Sequence, residues 1–307
     1  MHELRLLGQQ IDECIRFFFT VPIDKWRPGY LWVSHLTSQL WCEQQMEYGF
    51  SRPQEASRDP EHVVRGSELH LARELESEEY VNVTVQSDED IFAIKVFNLI
   101  NHLNDCKEIS REVPIFGWVQ NIFLMGKIDE IQRKESSWKI SEFKTRKKPY
   151  LPGKAQQDTH KLQVMIYQYL LSQISTLDTK RTCEKLRLDP EKKFGEDVIK
   201  FTSVETLRDL LCILQLQPTV RLSENLLIEY SCQEQDAVFA KIEVAYDEAW
   251  MLTKVEKSQQ YWLGQRTAEG VDIEEAWKCS MCDFADNCEW RLSKVKEAQS
   301  GKVPKVA

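Results

Sequence analysis

GKIDEIQRKESSWKISEFK, the stretch from Gly126 to Lys144, decides how the rest of this chain is read. Its front end closes a run from Val113 to Gln132 that is rich in Ile, Val and Phe and predicts extended structure. Lys134 to Ser137 predicts a turn, and Trp138 to Thr145 alternates as a second strand. Side chains two apart on a strand point the same way, so Glu142 and Lys144 share one face and Phe143 takes the other. With Asp129 on the preceding strand, this is an inventory for phosphodiester hydrolysis. Carboxylates hold Mg²⁺ or Mn²⁺ through hard oxygen ligands. Such an ion polarises phosphate and makes a nucleophile of water. A lysine nearby orients that water or offsets transition-state charge.

Working outward, a helix is expected from about Arg65 to Glu79, with Leu69, Ala72 and Leu75 as its buried stripe. Gly66, His70 and Glu74 are spaced by four, so they share a face of that helix. Downstream, Asp158 or Thr159 caps a helix to about Ile174, on which Gln163 and Tyr167 sit one turn apart. Each piece alone is weak, because short motifs recur by chance. Taken singly, His70 reads as a core histidine, Asp129 as a hairpin edge and Tyr167 as packing beside Ile166 and Leu170. The conjunction is what carries the chemistry.

The remaining elements are coarser. Ser34 caps a helix to about Gly49 that includes Cys42, and a polar linker runs from Ser51 to Glu61. Glu196 to Leu216 is mixed, Leu226 to Tyr246 reads as a hairpin turning near Gln235 and Asp236, and a long helix follows through Trp262. This order predicts an α/β fold in a single domain spanning 1–307.

With 307 residues the chain can bury a sizeable core, and 11 Gly with 10 Pro argue against long disordered tracts. The net charge of −9 speaks against nucleic acid as a partner until its distribution is considered. Lys144, Arg146, Lys147, Lys148, Lys154 and Lys161 form a basic run opposed only by Asp158, and it begins inside the Glu142–Lys144 motif. A second run covers Lys180, Arg181, Lys185, Arg187, Lys192 and Lys193, for which a solvated surface is an equal reading. No stretch approaches the roughly 18 apolar residues of a membrane span. Glu3, Asp12 and Glu13 around Phe17–Phe18–Phe19 fit neither a secretory signal nor an Arg-rich presequence, so an intracellular, reducing compartment is expected.

Nine cysteines, an odd count, fit a disulfide scaffold poorly. Cys279, Cys282 and Cys288 are clustered at a spacing that suits zinc or an iron–sulfur cluster, and a fourth ligand must come from elsewhere in the chain. Cys14, Cys106, Cys183, Cys212 and Cys232 are expected to be small buried apolar groups.

The ordered set Gly66-x3-His70-x3-Glu74, Gly126-Lys127-Ile128-Asp129, Glu142-x-Lys144 and Gln163-x3-Tyr167 resembles the motifs of RecB-like PD-(D/E)xK nucleases. Leu40 to Gln45 and the tail from Ala276 through Trp290 resemble the exonuclease V family of eukaryotes, and the likeness runs from about Tyr30 to Trp290. Members of that family tend to carry a longer N-terminal extension. The resemblance implies a restriction-endonuclease-like core over 61–265. It implies catalytic roles for His70, Asp129, Glu142, Lys144, Gln163 and Tyr167, with Mg²⁺ or Mn²⁺ on His70, Asp129 and Glu142. It further implies a 4Fe-4S cluster on Cys42, Cys279, Cys282 and Cys288, in a lobe made of 30–50 and 270–291. DNA would lie on Arg146, Lys147, Lys148 and Lys154.

On this reading the chain is a monomeric exonuclease of single-stranded DNA in repair, with the nucleus as the expected compartment and mitochondrion or cytosol as alternatives. A single-strand-binding protein or a helicase is the candidate partner. An inactive DNA-binding module is the second hypothesis, opposed by the intact His70, Asp129, Glu142 and Lys144. A CRISPR-type RecB-like nuclease is the third, and it would leave Glu196 to Gln265 unexplained.

Overall fold

The computed structural model describes residues 21–53, 60–75, 81–105, 107–134 and 137–300. The expectations for the acidic N-terminus, Cys14 and Cys106 fall outside these residues, as does most of the Ser51–Glu61 linker. In chain order the helices are α1 (Pro22–Trp26), α2 (Val33–Trp41), α3 (Glu43–Ser51), α4 (Pro60–Leu75), α5 (Asp88–Asn104), α6 (Lys154–Ser172), α7 (Thr179–Leu186), α8 (Glu196–Thr202), α9 (Leu207–Gln215), α10 (Glu248–Trp262) and α11 (Glu289–Ser300). The strands are β1 (Leu31–Trp32), β2 (Ile109–Val119), β3 (Ile122–Lys134), β4 (Ser137–Arg146), β5 (Asn225–Cys232) and β6 (Ala237–Ala245).

The strands form one mixed sheet in which β4 pairs antiparallel with β3, β5 parallel with β4, and β6 antiparallel with β5. The run Val113–Gln132 is a hairpin rather than one extended stretch. Gln120 takes a left-handed φ of 54° at the turn, and Val119 pairs with Ile122. Pairing with β2 occupies one edge of β3 along its length, so β1 and β4 share the other edge. There β1 pairs at Leu124 and Met125, while the β4 ladder begins only at Glu130. The edge of β3 between them, which includes Asp129, carries no ladder partner. A gap therefore opens at the centre of the sheet.

Burial explains the order of elements. Residues 122–126 of β3 are buried without alternation, which marks a strand covered on both faces. Helix α6 covers β2, β4 and β5 and packs on α2 and α10, with Leu162, Ile166, Leu170 and Leu171 inward. Sequence patterning passed over α5, although Ser87 caps it by accepting from the Asp90 amide and three acids fill its first turn. Its Phe92, Val96, Leu99 and Leu103 are buried against the sheet and α9. Glu196 to Leu216 resolves into α8 and α9. The hairpin near Gln235 and Asp236 and the helix to Trp262 stand where expected. The helix expected at Asp158 starts a turn earlier, after Gly153.

Two expectations are corrected. The helix from Ser34 to Gly49 is broken at Cys42, whose extended backbone (φ −163°, ψ 113°) ends α2 and begins α3. In α4 only Leu69 of the expected stripe is buried; Ala72 and Leu75 face solvent. Polar contacts hold that helix instead. Arg73 donates to Glu130 at 2.9 Å, reaches Glu229 at 3.4 Å and covers the Phe143 ring at 4.0 Å. The 76–79 end of the expected helix lies outside the described residues.

Candidate active site

The β2–β3–β4 register brings three acids onto one level. Arg111 pairs with Glu130 and Glu130 with Ser141, so one position on in each strand stand Glu112, Asp129 and Glu142. Glu112 breaks the ladder by adopting φ 50°, a left-handed conformation rarely seen for glutamate and found where a site demands it. His70, from α4, packs edge-on against Phe143 at 5.2 Å. Its ring, Glu112 and Asp129 offer ligand atoms that all lie within 4.8 Å of one another. Asp129 accepts the Phe143 amide at 2.8 Å, which fixes its carboxylate across the gap toward β4.

Glu142 is 1% exposed. Its Oε1 accepts from Lys144 Nζ at 2.6 Å, which places both side chains on one face as the strand period predicts. Its Oε2 is buried and without a hydrogen-bond partner, and its carboxyl group stands within hydrogen-bonding reach of that of Asp129. Two carboxylates cannot donate to each other, so that contact needs a shared proton or a cation. Burial first, and Asp129 second, push Glu142 well above the usual carboxylate range. Burial likewise raises Asp129, against the pull of Lys144 and His70. Burial opposes the charge on Lys144, yet Glu142 and Asp129 outweigh it and hold the ammonium above its ordinary value. Glu112 is pulled below its ordinary value because His70 and Lys127 outweigh its burial.

Lys144 also donates to Gln163 Oε1 at 2.9 Å, and Gln163 donates to the Tyr167 hydroxyl at 3.1 Å. The motif on α6 therefore closes onto the lysine. Tyr167 is buried as well, so its packing role and its place in this chain of hydrogen bonds hold together. A Cβ on Gly126 would come within 2.6 Å of the Tyr167 ring, which explains the glycine at the head of that motif. Gly66 sits similarly close to Thr145, with 3.0 Å for an added Cβ.

The residue missed from sequence is Glu112. Reading Gln120–Asn121 as a two-residue turn would have found it, because the register from Val119 and Ile122 then puts Glu112 opposite Asp129.

The two basic runs separate. In the first, Arg146 leans on Gln156, while Lys147, Lys148 and Lys154 are exposed beside the Lys144 strand. In the second, Lys180, Lys185, Lys192 and Lys193 pair with Glu184, Asp24, Glu89 and Glu205, and Arg181 stacks on Trp118. That run is internal bracing and a solvated face.

The four singled-out cysteines also meet. Cys42, at the α2–α3 break, lines one small cavity with Cys279, Cys282 and Cys288, walled by Tyr48 and Trp290. Burial foremost pushes the Cys42 thiol up to about 11. Lys278, itself buried, ties the tail to the front of the chain by donating to the Trp41 carbonyl at 2.9 Å. Cys183 and Cys232 are buried as expected, but Cys212 is exposed on the outer side of α9.

A mixed α/β fold whose central sheet carries such a row fits the nuclease-like α/β class. The family model described as exonuclease V, a 5′ deoxyribonuclease, matches residues 21–139, 132–211 and 200–291. Exonuclease V of Danio rerio is 31% identical over 288 residues, covering 89% of this chain and 73% of that protein. The chain belongs to the exonuclease V family, and with it to the nucleases. A solved structure described as the crystal structure of SSO0001 overlays 95% of this chain and 98% of that one at 16% identity and TM-score 0.43, a likeness too slight to argue from.

Proposed function

We propose that this protein is a divalent-metal-dependent exonuclease of single-stranded DNA, serving DNA repair. One observation carries the metal: Glu142 keeps a buried, unpartnered Oε2 on a carboxylate that stands against that of Asp129. Lys144 neutralises one of two adjacent negative charges, and a divalent cation would balance the rest. His70, Asp129 and Glu142 would hold Mg²⁺ or Mn²⁺; His70 and Asp129 share one cluster of ligand atoms with Glu112, which would be a further oxygen donor. When bound, the ion supplies Lewis-acid polarisation of the phosphate and a water of lowered pKa.

The chain's own residues do the positioning. Lys144, held protonated between Glu142 and Gln163, orients the attacking water and offsets charge on the pentavalent phosphorus. Tyr167 and the Gln163 amide keep that lysine in place. Lys147, Lys148 and Lys154 follow within ten residues of Lys144 and grip the backbone next to the scissile bond. The family's description supports DNA as the polymer and a 5′ end as the starting point. End-labelled linear single strands and closed circles, each with Mg²⁺ and with EDTA, test this. The expected result is loss of linear substrate only, and only with Mg²⁺; cutting of circles would overturn the exonuclease reading.

The four cysteines support a 4Fe-4S cluster in a lobe of both chain ends, around a single 61–265 core. All four line the same small cavity, and four soft thiolates are the donor set of such a cluster.

A further inference from the structure

Behind the Glu112 end of the acidic row the molecule opens into a cleft of about 850 Å³, between α5 and the β2–β3 hairpin. It shares Arg111 and Glu112 with the small pocket around His70 and Asp129, so the two adjoin. Gly126 and Lys127 form part of its floor, at the end of β3 that lies beyond Asp129. One stripe of α5 forms its wall: Lys95, Asn98 and Asn101 recur at intervals of three and face the opening.

The character of this wall is unusual for a surface helix. Lys95 is half-buried, and no ion pair holds it among the described residues. Burial and the neighbouring Lys127 both push its ammonium below the ordinary value, while Lys127 itself reaches Glu112 at 3.1 Å. The asparagines offer both donors and acceptors, which suits sugars and base edges rather than one fixed ionic partner. In sheet order the cleft lies on the β2–β3 side of the acidic row, and the Lys147–Lys154 loop lies on the β4–β5 side. A polyanion crossing the row would meet cations on both sides.

We propose that the α5/β2–β3 cleft is the track for a single DNA strand on one side of the scissile position, with Lys95 and Lys127 at its phosphates and Asn98 and Asn101 at its sugars and bases. This rests on the nuclease reading and adds the route the strand takes. Binding of labelled oligo-dT by fluorescence anisotropy, in EDTA so that nothing is cut, tests it as a function of salt. Lys95→Ala should lower the salt slope of log K by about 0.7, the contribution of one single-strand phosphate contact, and Asn98→Lys should raise it by about the same amount. Lys180→Ala, on the 88%-exposed lysine of α7, should leave the slope where it was. Should Lys95→Ala not fold, Asn98→Lys alone decides. A slope unchanged in both cleft variants overturns the track. Wild-type protein that binds no oligo-dT at all sinks the nuclease reading instead.

Discussion

At the residue scale the acidic row is organised around an electrostatic conflict. Glu142 and Asp129 face each other in a buried place, and Lys144 resolves only half of the repulsion. Removing any of the three changes the charge balance at the scissile phosphate. Asp129→Ala, Glu142→Ala and Lys144→Ala are each expected to lower cleavage of labelled single strands by about a hundredfold or more while the far-ultraviolet spectrum stays native, the scale of loss when one aimed charge goes. Asp129→Ala should bind oligo-dT more tightly, since a carboxylate that repels phosphate is gone. Full activity in any one of them removes that residue from the site. Much of this row was legible in sequence: Asp129, Glu142, Lys144, His70, Gln163 and Tyr167 converge as the family resemblance implied, and Glu142 and Lys144 share a face as the strand period required. Glu112 was not, because placing it requires the hairpin register set by the unrecognised Gln120–Asn121 turn, and no local pattern of β2 announces its left-handed backbone.

At the element scale the question is what holds α4, and with it His70, over the sheet. Apolar periodicity pointed to Leu69, Ala72 and Leu75, but two of those three are exposed. Arg73 does the work by binding Glu130 and Glu229 and lying on Phe143, and Arg111 donates back to the Arg73 carbonyl at 2.5 Å. Arg73→Ala leaves two buried carboxylates short of a cation and should destabilise the protein by about 3 kcal/mol, read as a lower denaturation midpoint. It should also weaken cleavage, because the helix that positions His70 loses its anchor. A midpoint unchanged from wild type would assign the docking of α4 to other contacts. Helix α5 shows the converse lesson. Its cap at Ser87 and its buried Phe92, Val96 and Leu99 are ordinary signals, but they were overshadowed by the strand-rich segment that follows.

At the scale of the whole molecule, residues 39–44 near the front fold against residues 262–269 near the tail. Arg266 pairs with Glu43, Trp262 donates to Gln39 at 2.9 Å and the backbone N–H of Gln44 donates to the Glu269 carbonyl at 3.0 Å. Cys42 and Cys279 stand more than two hundred residues apart in sequence, and a cluster joining them would cross-link a very long loop. Purified protein should be brown with about four irons per chain. Cys288→Ser should lose colour and solubility together, and Cys183→Ser should keep both; colourless active protein containing zinc would contradict the cluster. Their meeting was foreseen from the two flanking segments, but the break at Cys42 was not, since the helical pattern continues through it.

Acid sensitivity also belongs to this scale. His35, His102 and His160 are all pushed down, first by burial, to about 4, about 4 and about 3. His35 Nδ1 accepts the Trp32 amide, which suits a neutral ring, and His160 Nδ1 shares a hydrogen bond with the Tyr230 hydroxyl at 2.9 Å. Depressed histidine values mean stability that is present above the unfolded value near 6.5 and lost as pH falls below it. The melting temperature should therefore drop between pH 6.5 and pH 4, and His160→Gln should flatten the decline. A flat profile in wild type would show that these rings are not held neutral.

The row itself is tested most directly by titrating Mn²⁺ into wild-type protein and Glu142→Gln and following the free-ion electron paramagnetic resonance signal. The account predicts that wild type quenches the signal and that Glu142→Gln binds at least about tenfold more weakly, a loss of the size that altered metal shells produce. Equal affinity in the two proteins, or no binding in wild type, would contradict it.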